Sequence, residues 1–215
     1  MHPSRLAGGR RPLQRAAGLV GCHRRRRART TIADPTAAPA PNLVAHDFAA
    51  PALSRLWLGD STYVPRWAGG RYLAGRLDAH SRRVIGWAMA EHLRAELARE
   101  ALQMALASRR PAAGPIHHTA WGCQSTADAY RAALAVHPGT ASMSRTGDCD
   151  DNAMAERSFA TRKAERIETR PWPTRRAARQ AIFAWRAVCY NRRRFHPALG
   201  YRRPATDEMA RAREA

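Results

Sequence analysis

Apolar and polar residues alternate in three short runs in the first half of the chain, each bounded by Gly, Pro or Ser. The runs are LWLGDSTYV from residue 56, RYLAGRLDA from residue 71 and RRVIGWAMA from residue 82. Alternation with a period of two predicts strands with one buried face. Because the connections between the runs are short, the three strands are predicted to form an antiparallel meander.

The spacing changes to the helical period over residues 91–108, where apolar side chains recur three and four positions apart. Residues 115–118 and 141–144 predict two further short strands, with a helix over roughly 126–136 between them. Another helix then carries Glu156, and the last fifty residues have a helical pattern with an apolar side formed by Ala177, Ile182, Phe183, Trp185, Val188 and Cys189. The order β-β-β-α-β-α-β-α predicts an α/β fold in which helices flank a mixed five-stranded sheet, the arrangement of ribonuclease H-like nucleases.

Composition divides the chain into three predicted domains. Residues 1–33 contain nine arginines and no acid, and the Pro- and Ala-rich stretch 34–42 predicts an extended linker, so 1–45 is interpreted as a basic arm with its linker. Residues 46–168 contain the predicted α/β core, and residues 169–215 form a helical, arginine-rich extension. A hydrophobic content of 45% is sufficient for a core of ordinary size.

The formal charge of +20 indicates a polyanionic partner, and nucleic acid is the leading candidate. The predicted phosphate contacts are the basic runs and the single lysine of the chain: Arg24, Arg25, Arg26, Arg27, Arg82, Arg83, Lys163, Arg192, Arg193 and Arg194. Contacts of this kind are independent of sequence and sensitive to salt. An unrelated arginine-rich RNA-binding or ribosomal protein would explain the charge equally well.

The sequence also indicates where the protein acts. No segment approaches eighteen apolar residues, which argues against a membrane span, and the stretch before Cys22 is too short and too basic for a signal peptide. The four cysteines have neither the spacing of a zinc site nor that of a disulfide framework. We therefore expect a cytoplasmic, nucleoid-associated protein.

Two acids are candidates for phosphoryl-transfer chemistry. Asp60 lies in the middle of the first predicted strand, and Glu156 lies near the start of a helix among basic residues. Each has a structural interpretation: Asp60 as a strand-end acid satisfied by Ser61 or Thr62, and Glu156 as an exposed helix acid near the amino end. Together they match a two-metal site, in which carboxylates from separate elements converge on two cations.

The order of the short motifs resembles that of bacterial insertion-sequence transposases of the OrfB type, which carry a retroviral-integrase core. Residues 16–21, with the arginine run after them, resemble the tail of the family's upstream helix-turn-helix region, so the chain is expected to be truncated at its amino end. The later motifs that carry the resemblance are residues 42–48, 56–65, 72–74, 77–78, 81–89, 116–118, 142–144, 147–149, 151–154, 190–191 and 198–201.

The resemblance implies a ribonuclease H-like core whose Asp-Asp-Glu triad uses Mg²⁺ or Mn²⁺ to cut and join DNA at element ends. Asp60 corresponds to the first acid and Glu156 to the third, and both are the expected metal ligands. The second acid falls on Ala120, with thirty-five residues between it and Glu156. The chain is therefore expected to bind metal weakly and to be impaired in catalysis, or to be a non-catalytic DNA-binding remnant that interferes with an intact transposase. Expected partners are element ends, target DNA and a homo-oligomer or mixed oligomer.

Other residues are assigned supporting roles or mark departures from the family. Asp78 is predicted to order the turn before Ser81, and His118 to support the sheet. Trp121 is a candidate for stacking on a displaced base. Arg76 stands where the family's second strand has an aliphatic residue, so it should reach a sheet edge or a phosphate, or else remain a costly buried charge.

Overall fold

Five strands form one mixed sheet at the centre of the computed structural model. They are β1 (Leu56–Val64), β2 (Arg71–Asp78), β3 (Val84–Ala90), β4 (Ile116–Thr119) and β5 (Thr140–Met143), in the spatial order β3-β2-β1-β4-β5. β1, β2 and β3 are antiparallel neighbours, whereas β1, β4 and β5 run parallel. The predicted meander and mixed sheet are confirmed, with strand boundaries within two residues of those expected from the alternation.

The structure describes residues 40–64, 71–111, 114–120, 132, 134, 139–144, 154 and 174–214. All of them belong to one of the two units of the chain, residues 31–215. Within these ranges, no helix has the length and apolar content needed to cross a membrane.

Five further elements in the described part of the chain are helical. The first, α1 (Ala95–Arg109), ends at Arg110 in the left-handed conformation. α2 (Arg175–Ala184) begins at Thr174, whose hydroxyl accepts from the amide of Ala177. A π-helix (Trp185–Arg193) continues directly from α2, and a 3₁₀ turn (Pro197–Leu199) leads to α3 (Pro204–Glu214). Ala132, Leu134 and Met154 are also helical, in agreement with the helices predicted at those positions.

The sheet has two covered faces, which follow from the alternation along β1. Trp57 packs with Ala98, Leu102 and Ala105 of α1, so we call this side the α1 face. Leu56 and Leu58 point to the other side, where Trp185 and Tyr190 of the π-helix complete a second cluster and Met154 packs against it. Side chains alternate between the two faces along a strand, so Asp60 is on the same side as Leu56 and Leu58. We call this second side the Asp60 face.

The π-helix changes which residues of the C-terminal segment are buried. Its buried residues include Tyr190 and Asn191, whereas Val188 is 37% exposed. The prediction that Val188 and Phe183 lie on the apolar side is wrong, since Phe183 is 56% exposed. The wider π turn shifts the buried stripe after Trp185 away from the α period, which accounts for Val188, whereas Phe183 lies before it in α2. Asn191 then pairs with the backbone of Val84, accepting from its amide at 3.0 Å and donating to its carbonyl at 3.1 Å.

Candidate functional site

Asp60 is the fifth of the nine residues of β1, which is the central strand of the sheet. The strand-end interpretation is therefore wrong. The carboxylate is half-buried, and its Oδ1 accepts a hydrogen bond from the amide of Ser61 at 2.7 Å. Its neighbour across β2 is Gly75, which adds no side chain to the Asp60 face at that point.

Ala120 directly follows β4, the parallel neighbour of β1. The register pairs Gly59 with Thr119, the residues that directly precede Asp60 and Ala120, so these two positions lie close together in the sheet. The position at which the second acid was expected is thus next to the first acid, and it presents a methyl group.

Glu156 lies outside the described residues, as do Trp121, Lys163 and Arg24 to Arg27. The nearest described residue to Glu156 in sequence is Met154, which is helical and packs against the cluster of Leu56 and Leu58. Met154 therefore contacts the Asp60 face of the sheet.

A buried arginine that the sequence patterns did not single out also lies on the Asp60 face. Trp87 pairs with Gly75 across β3 and β2, and the Arg186 guanidinium carbon lies 5.2 Å from the centre of the Trp87 ring. Arg186 is 2% exposed. A positive charge thus lies two strands away from Asp60 on the same side of the sheet.

The described donor set is too small for the divalent cations that the family resemblance implies. Mg²⁺ and Mn²⁺ prefer carboxylate and water oxygens, and two such ions need carboxylates from several elements. Of the three triad positions, the described residues supply the carboxylate of Asp60 and the methyl of Ala120. Across the described ranges, no group of three or more His, Cys, Asp or Glu side chains could hold a metal ion. Among the described residues, the triad positions therefore offer one carboxylate, fewer than a two-metal site needs.

Arg76 neither reaches an edge of the sheet nor faces solvent, contrary to one of the expectations for it. It is 3% exposed on β2, and its Nη2 donates to the carbonyl of Ala98 on α1 at 3.4 Å. Space for the guanidinium exists because the opposite residue on β1 is Gly59: a Cβ there would lie 1.7 Å from Arg76 Nη1. Arg76 is on the α1 face, so the sheet separates it from Asp60.

The basic residues of the β2–β3 turn have different environments. Arg82 has a left-handed backbone (φ 60°) and contacts the sulfur of Met154, and burial lowers its pKa against the opposing effects of Tyr190 and Asp78. Arg83 donates from Nη1 to Glu208 at 2.5 Å. One of the two predicted phosphate contacts in this turn is therefore already paired with a carboxylate.

Glu208 organises a buried polar cluster that local sequence patterns could not reveal. Its carboxylate accepts from Ser81 Oγ at 2.6 Å and from Arg83 and Arg109, whose Nη1 lies 3.1 Å from Oε2. Burial raises the pKa of Glu208, but the hydrogen bonds from Arg109, Ser81 and Arg83 outweigh it, so the pKa lies below its usual range. This Glu208 cluster joins α3 to α1 and to the β2–β3 turn.

Arg192, Arg193 and Arg194 close the π-helix, the first two being exposed and the third half-buried. His196 follows them, and its ring lies 5.0 Å from that of Tyr190. Burial, with the neighbouring charges of Arg194 and Arg82, lowers the pKa of His196 to about 4. His196 is therefore neutral at pH 7, and the positive charge of this segment comes from arginine.

The two supporting roles predicted from sequence are confirmed. Asp78 is fully buried, and its Oδ1 accepts from the amides of His80 and Ser81 at 3.0 Å, while Oδ2 accepts from the amide of Ser54 at 2.8 Å. His118 is fully buried as well, with Nδ1 2.8 Å from Ser142 Oγ. Asp78 thus orders the turn, and His118 links β4 to β5.

Two family models described as the integrase core domain match the chain, over residues 51–149 and 139–204. The transposase for insertion sequence element IS904 of Lactococcus lactis subsp. lactis is 38% identical over 164 residues, which are 76% of this chain and 65% of that protein. A putative transposase for IS986/IS6110 of Mycobacterium tuberculosis is 35% identical over 199 residues, covering 90% and 71% respectively. The chain spans about two thirds of the length of these relatives.

Solved structures support the fold class. The HTLV-2 integrase catalytic core domain, determined in complex with magnesium in a trimeric form, matches with a TM-score of 0.55 at 13% identity over 74% of this chain and 98% of that one. The catalytic domain of Mos1 mariner transposase matches with a TM-score of 0.53 at 14% identity over 63% and 71%. Identities this low concern the fold alone, and they confirm the predicted ribonuclease H-like sheet.

Proposed function

The chain belongs to the family of insertion-sequence transposases with an integrase core, and from this premise we propose that it binds DNA but is impaired in cutting and joining it. The ancestral reaction is hydrolysis of a phosphodiester at an element end, followed by transfer of the freed 3′ end to target DNA. Element ends and target DNA are the proposed partners.

The observation that supports impairment is the position of Ala120 directly after Thr119, which pairs with Gly59, the residue before Asp60, on the neighbouring parallel strand. A phosphoryl-transfer site with two cations needs carboxylates on both sides of the metal pair, because each ion neutralises charge on a different oxygen of the transition state. A methyl group offers no lone pair, so Asp60 and Glu156 would bind a divalent cation weakly. We expect no measurable cleavage or strand transfer by the chain as it stands.

The arginine-rich segments support DNA binding. Arg192 and Arg193 are exposed and Arg194 is half-buried, and Arg82 lies on the same side of the molecule as His196, on which its charge acts. We propose that these four arginines contact phosphates, together with Lys163 and Arg24 to Arg27. Arg83 contributes less, because Glu208 already neutralises much of its charge.

Restoring the missing acid tests this proposal. The substrate is duplex DNA carrying the terminal repeats that flank the coding sequence, with Mg²⁺ or Mn²⁺ present. Ala120→Asp should raise cleavage and strand transfer at least about 100-fold, because metal ions stabilise such transition states by several kcal/mol. Ala120→Asn is the matched control, since it has the same shape without the charge.

The gain in Ala120→Asp should disappear when Asp60→Asn is added. Cleavage by the unmodified chain that is as fast as cleavage by Ala120→Asp, and is abolished by Asp60→Asn, would contradict the proposed impairment. Loss of DNA binding in every form of the chain would contradict the proposed function as a whole.

A second candidate function is that of a non-catalytic remnant that interferes with an intact transposase. The polar clusters that hold the fold together, around Glu208 and Asp78, are complete, which favours a folded DNA-binding protein over a collapsed one. If Ala120→Asp binds element ends but remains inactive, this candidate is favoured. Adding the chain to an intact relative should then reduce strand transfer, either by occupying ends or by forming mixed oligomers.

A further inference from the structure

A short turn after the π-helix holds two aromatic rings in solvent. Tyr201 is 70% exposed and Phe195 is 54% exposed. We call residues 195–203 the aromatic turn. Single exposed aromatic residues are common on protein surfaces, but two within seven positions, on a hydrogen-bonded turn, need an explanation.

Backbone hydrogen bonds and one buried side chain hold the aromatic turn in place. The amide of His196 donates to the carbonyl of Arg202 at 3.1 Å, and the amide of Tyr201 donates to the carbonyl of His196 at 3.0 Å. Leu199 is 5% exposed and anchors the turn to the protein. Gly200 and Tyr201 are both left-handed, with φ of 60° and 57°. Tyrosine rarely adopts this conformation, so the turn holds the ring outward at some cost in backbone energy.

The surroundings of the two rings are strongly positive. No acidic residue occurs in the sequence between Glu168 and Asp207, and Asp207 is itself paired with Arg202 and Arg211. Arg192, Arg193 and Arg203 are exposed. The guanidinium carbon of Arg203 lies 4.9 Å from the centre of the Phe195 ring, so a cation and an aromatic face are presented together.

We propose that the aromatic turn binds an unpaired segment of DNA, with Phe195 and Tyr201 stacking on bases and the neighbouring arginines contacting phosphates. Proteins commonly bind single-stranded nucleic acid with aromatic rings interleaved with cations, because every base has a face on which a ring can stack. In an intact duplex the bases already stack on one another, so the rings add little there. This inference rests on the proposed DNA-binding function and names the form of DNA that this surface takes.

The test compares a fluorescently labelled 20-nucleotide single strand with a 20-base-pair duplex, using anisotropy with the full chain. The Phe195→Ala/Tyr201→Ala double variant should bind the single strand on the order of ten-fold or more weakly, because each stacked base contributes at least several-fold to affinity. Its affinity for the duplex should change less than about two-fold, and the salt dependence should stay the same, because no phosphate contact is removed.

Three other variants separate stacking from general surface effects. Met209→Ala removes an exposed apolar side chain that is 61% exposed on α3, and should leave both affinities unchanged. The Phe195→Tyr/Tyr201→Phe variant keeps both rings and should bind like the parent. Arg193→Gln should weaken binding to strand and duplex alike and reduce the salt dependence.

The outcomes distinguish this inference from the proposed function. If the parent binds both DNAs and the double alanine variant binds the single strand equally well, the inference is wrong and the DNA-binding function stands. The same conclusion follows if the double variant loses only self-association in sedimentation, which would mark the turn as a contact between copies of the chain. If the parent binds neither DNA, the proposed DNA-binding function is wrong, and the inference that rests on it is wrong as well.

Discussion

The Glu208 cluster brings several charged residues together from distant parts of the sequence, whereas the described part of the Asp60 region contributes one carboxylate of the expected triad. Glu208 receives hydrogen bonds from Ser81, Arg83 and Arg109. Beside Asp60, by contrast, the position expected to hold a second carboxylate is Ala120. The difference shows that the polar groups which hold the fold and those proposed for chemistry are physically separable.

The separation has a simple energetic origin. Removing one partner from a buried ion pair leaves an uncompensated charge, and this costs folding free energy directly. Removing one carboxylate from a cluster of acids relieves repulsion between like charges, so it costs activity without costing stability. A family member can therefore lose a catalytic acid while keeping its fold and its basic surface.

The largest stability effect expected from a single change concerns Glu208. Glu208→Ala should lower the free energy of unfolding by about 3–5 kcal/mol, because it leaves the side chain of Arg109 buried without its carboxylate. Asp60→Asn should change it by about 0.5 kcal/mol or less, since its amide oxygen can still accept from Ser61. Urea denaturation followed by circular dichroism measures both.

Glu100→Ala, an exposed acid on α1, is the matched control for loss of a carboxylate. The contrast between the two regions would be refuted if Asp60→Asn were as destabilising as Glu208→Ala.

A smaller loss of stability is expected from a substitution at the close contact between β1 and β2 on the α1 face. Gly59→Ala should cost about 1–3 kcal/mol, because its Cβ would overlap the guanidinium of Arg76 and crowd the methyl of Thr119, 2.9 Å away. In an Arg76→Leu background the cost should fall to less than half, and a double-mutant cycle by urea denaturation measures this coupling.

Equal costs of Gly59→Ala in the two backgrounds would show that Arg76 is not the group that requires glycine at this position. The neighbouring Thr119 would then be responsible.

The smallest expected change in the free energy of unfolding is the one caused by pH. The pKa of His196 is lowered to about 4 from an ordinary value of 6.5, so the unfolded chain takes up this proton first as the pH falls. The free energy of unfolding should therefore decrease between pH 6.5 and pH 4, by about 1 kcal/mol once partial exposure is considered, and level off below. His196→Gln should remove this part of the pH dependence of the free energy of unfolding. His92→Gln, a change at an exposed histidine, should leave that pH dependence intact.

The Glu208 cluster should respond differently over the same range. Because the pKa of Glu208 lies below its ordinary value, its contribution to stability is present above about pH 4.5 and is lost only as the pH falls through the lowered pKa. If Glu208→Ala and the unmodified chain were already equally stable at pH 6, the lowered pKa of Glu208 would be contradicted.

Much of the fold could be predicted because the signals are local. Alternation along β1, β2 and β3 and the helical period of α1 depend on residues a few positions apart, and the ordered motifs confirmed as those of insertion-sequence transposases span most of the chain. The position of Asp60 in the first strand followed from the same alternation. The assignment of Asp60 and Glu156 as metal ligands stays a prediction.

The remaining features required partners that no local pattern identifies. Ser81 and Glu208 are 127 positions apart, and the amide of Asn191 reaches Val84 over 107 positions. The exposure of Val188 depended on a π turn, which the α period cannot anticipate. Arg76 could be buried only because Gly59 faces it on the next strand, a pairing set by the register.

By itself the sequence determined the order of strands and helices along the chain, the family, the excess of positive charge and the alanine at position 120. Each of these depends on residue identity or on short-range periodicity. Only the tertiary structure decided that Asp60 adjoins Ala120, that Arg83 is paired with Glu208, and that Phe195 and Tyr201 stay in solvent. These depend on strand register and on contacts between residues far apart in the chain, which only the packed molecule brings within reach of one another.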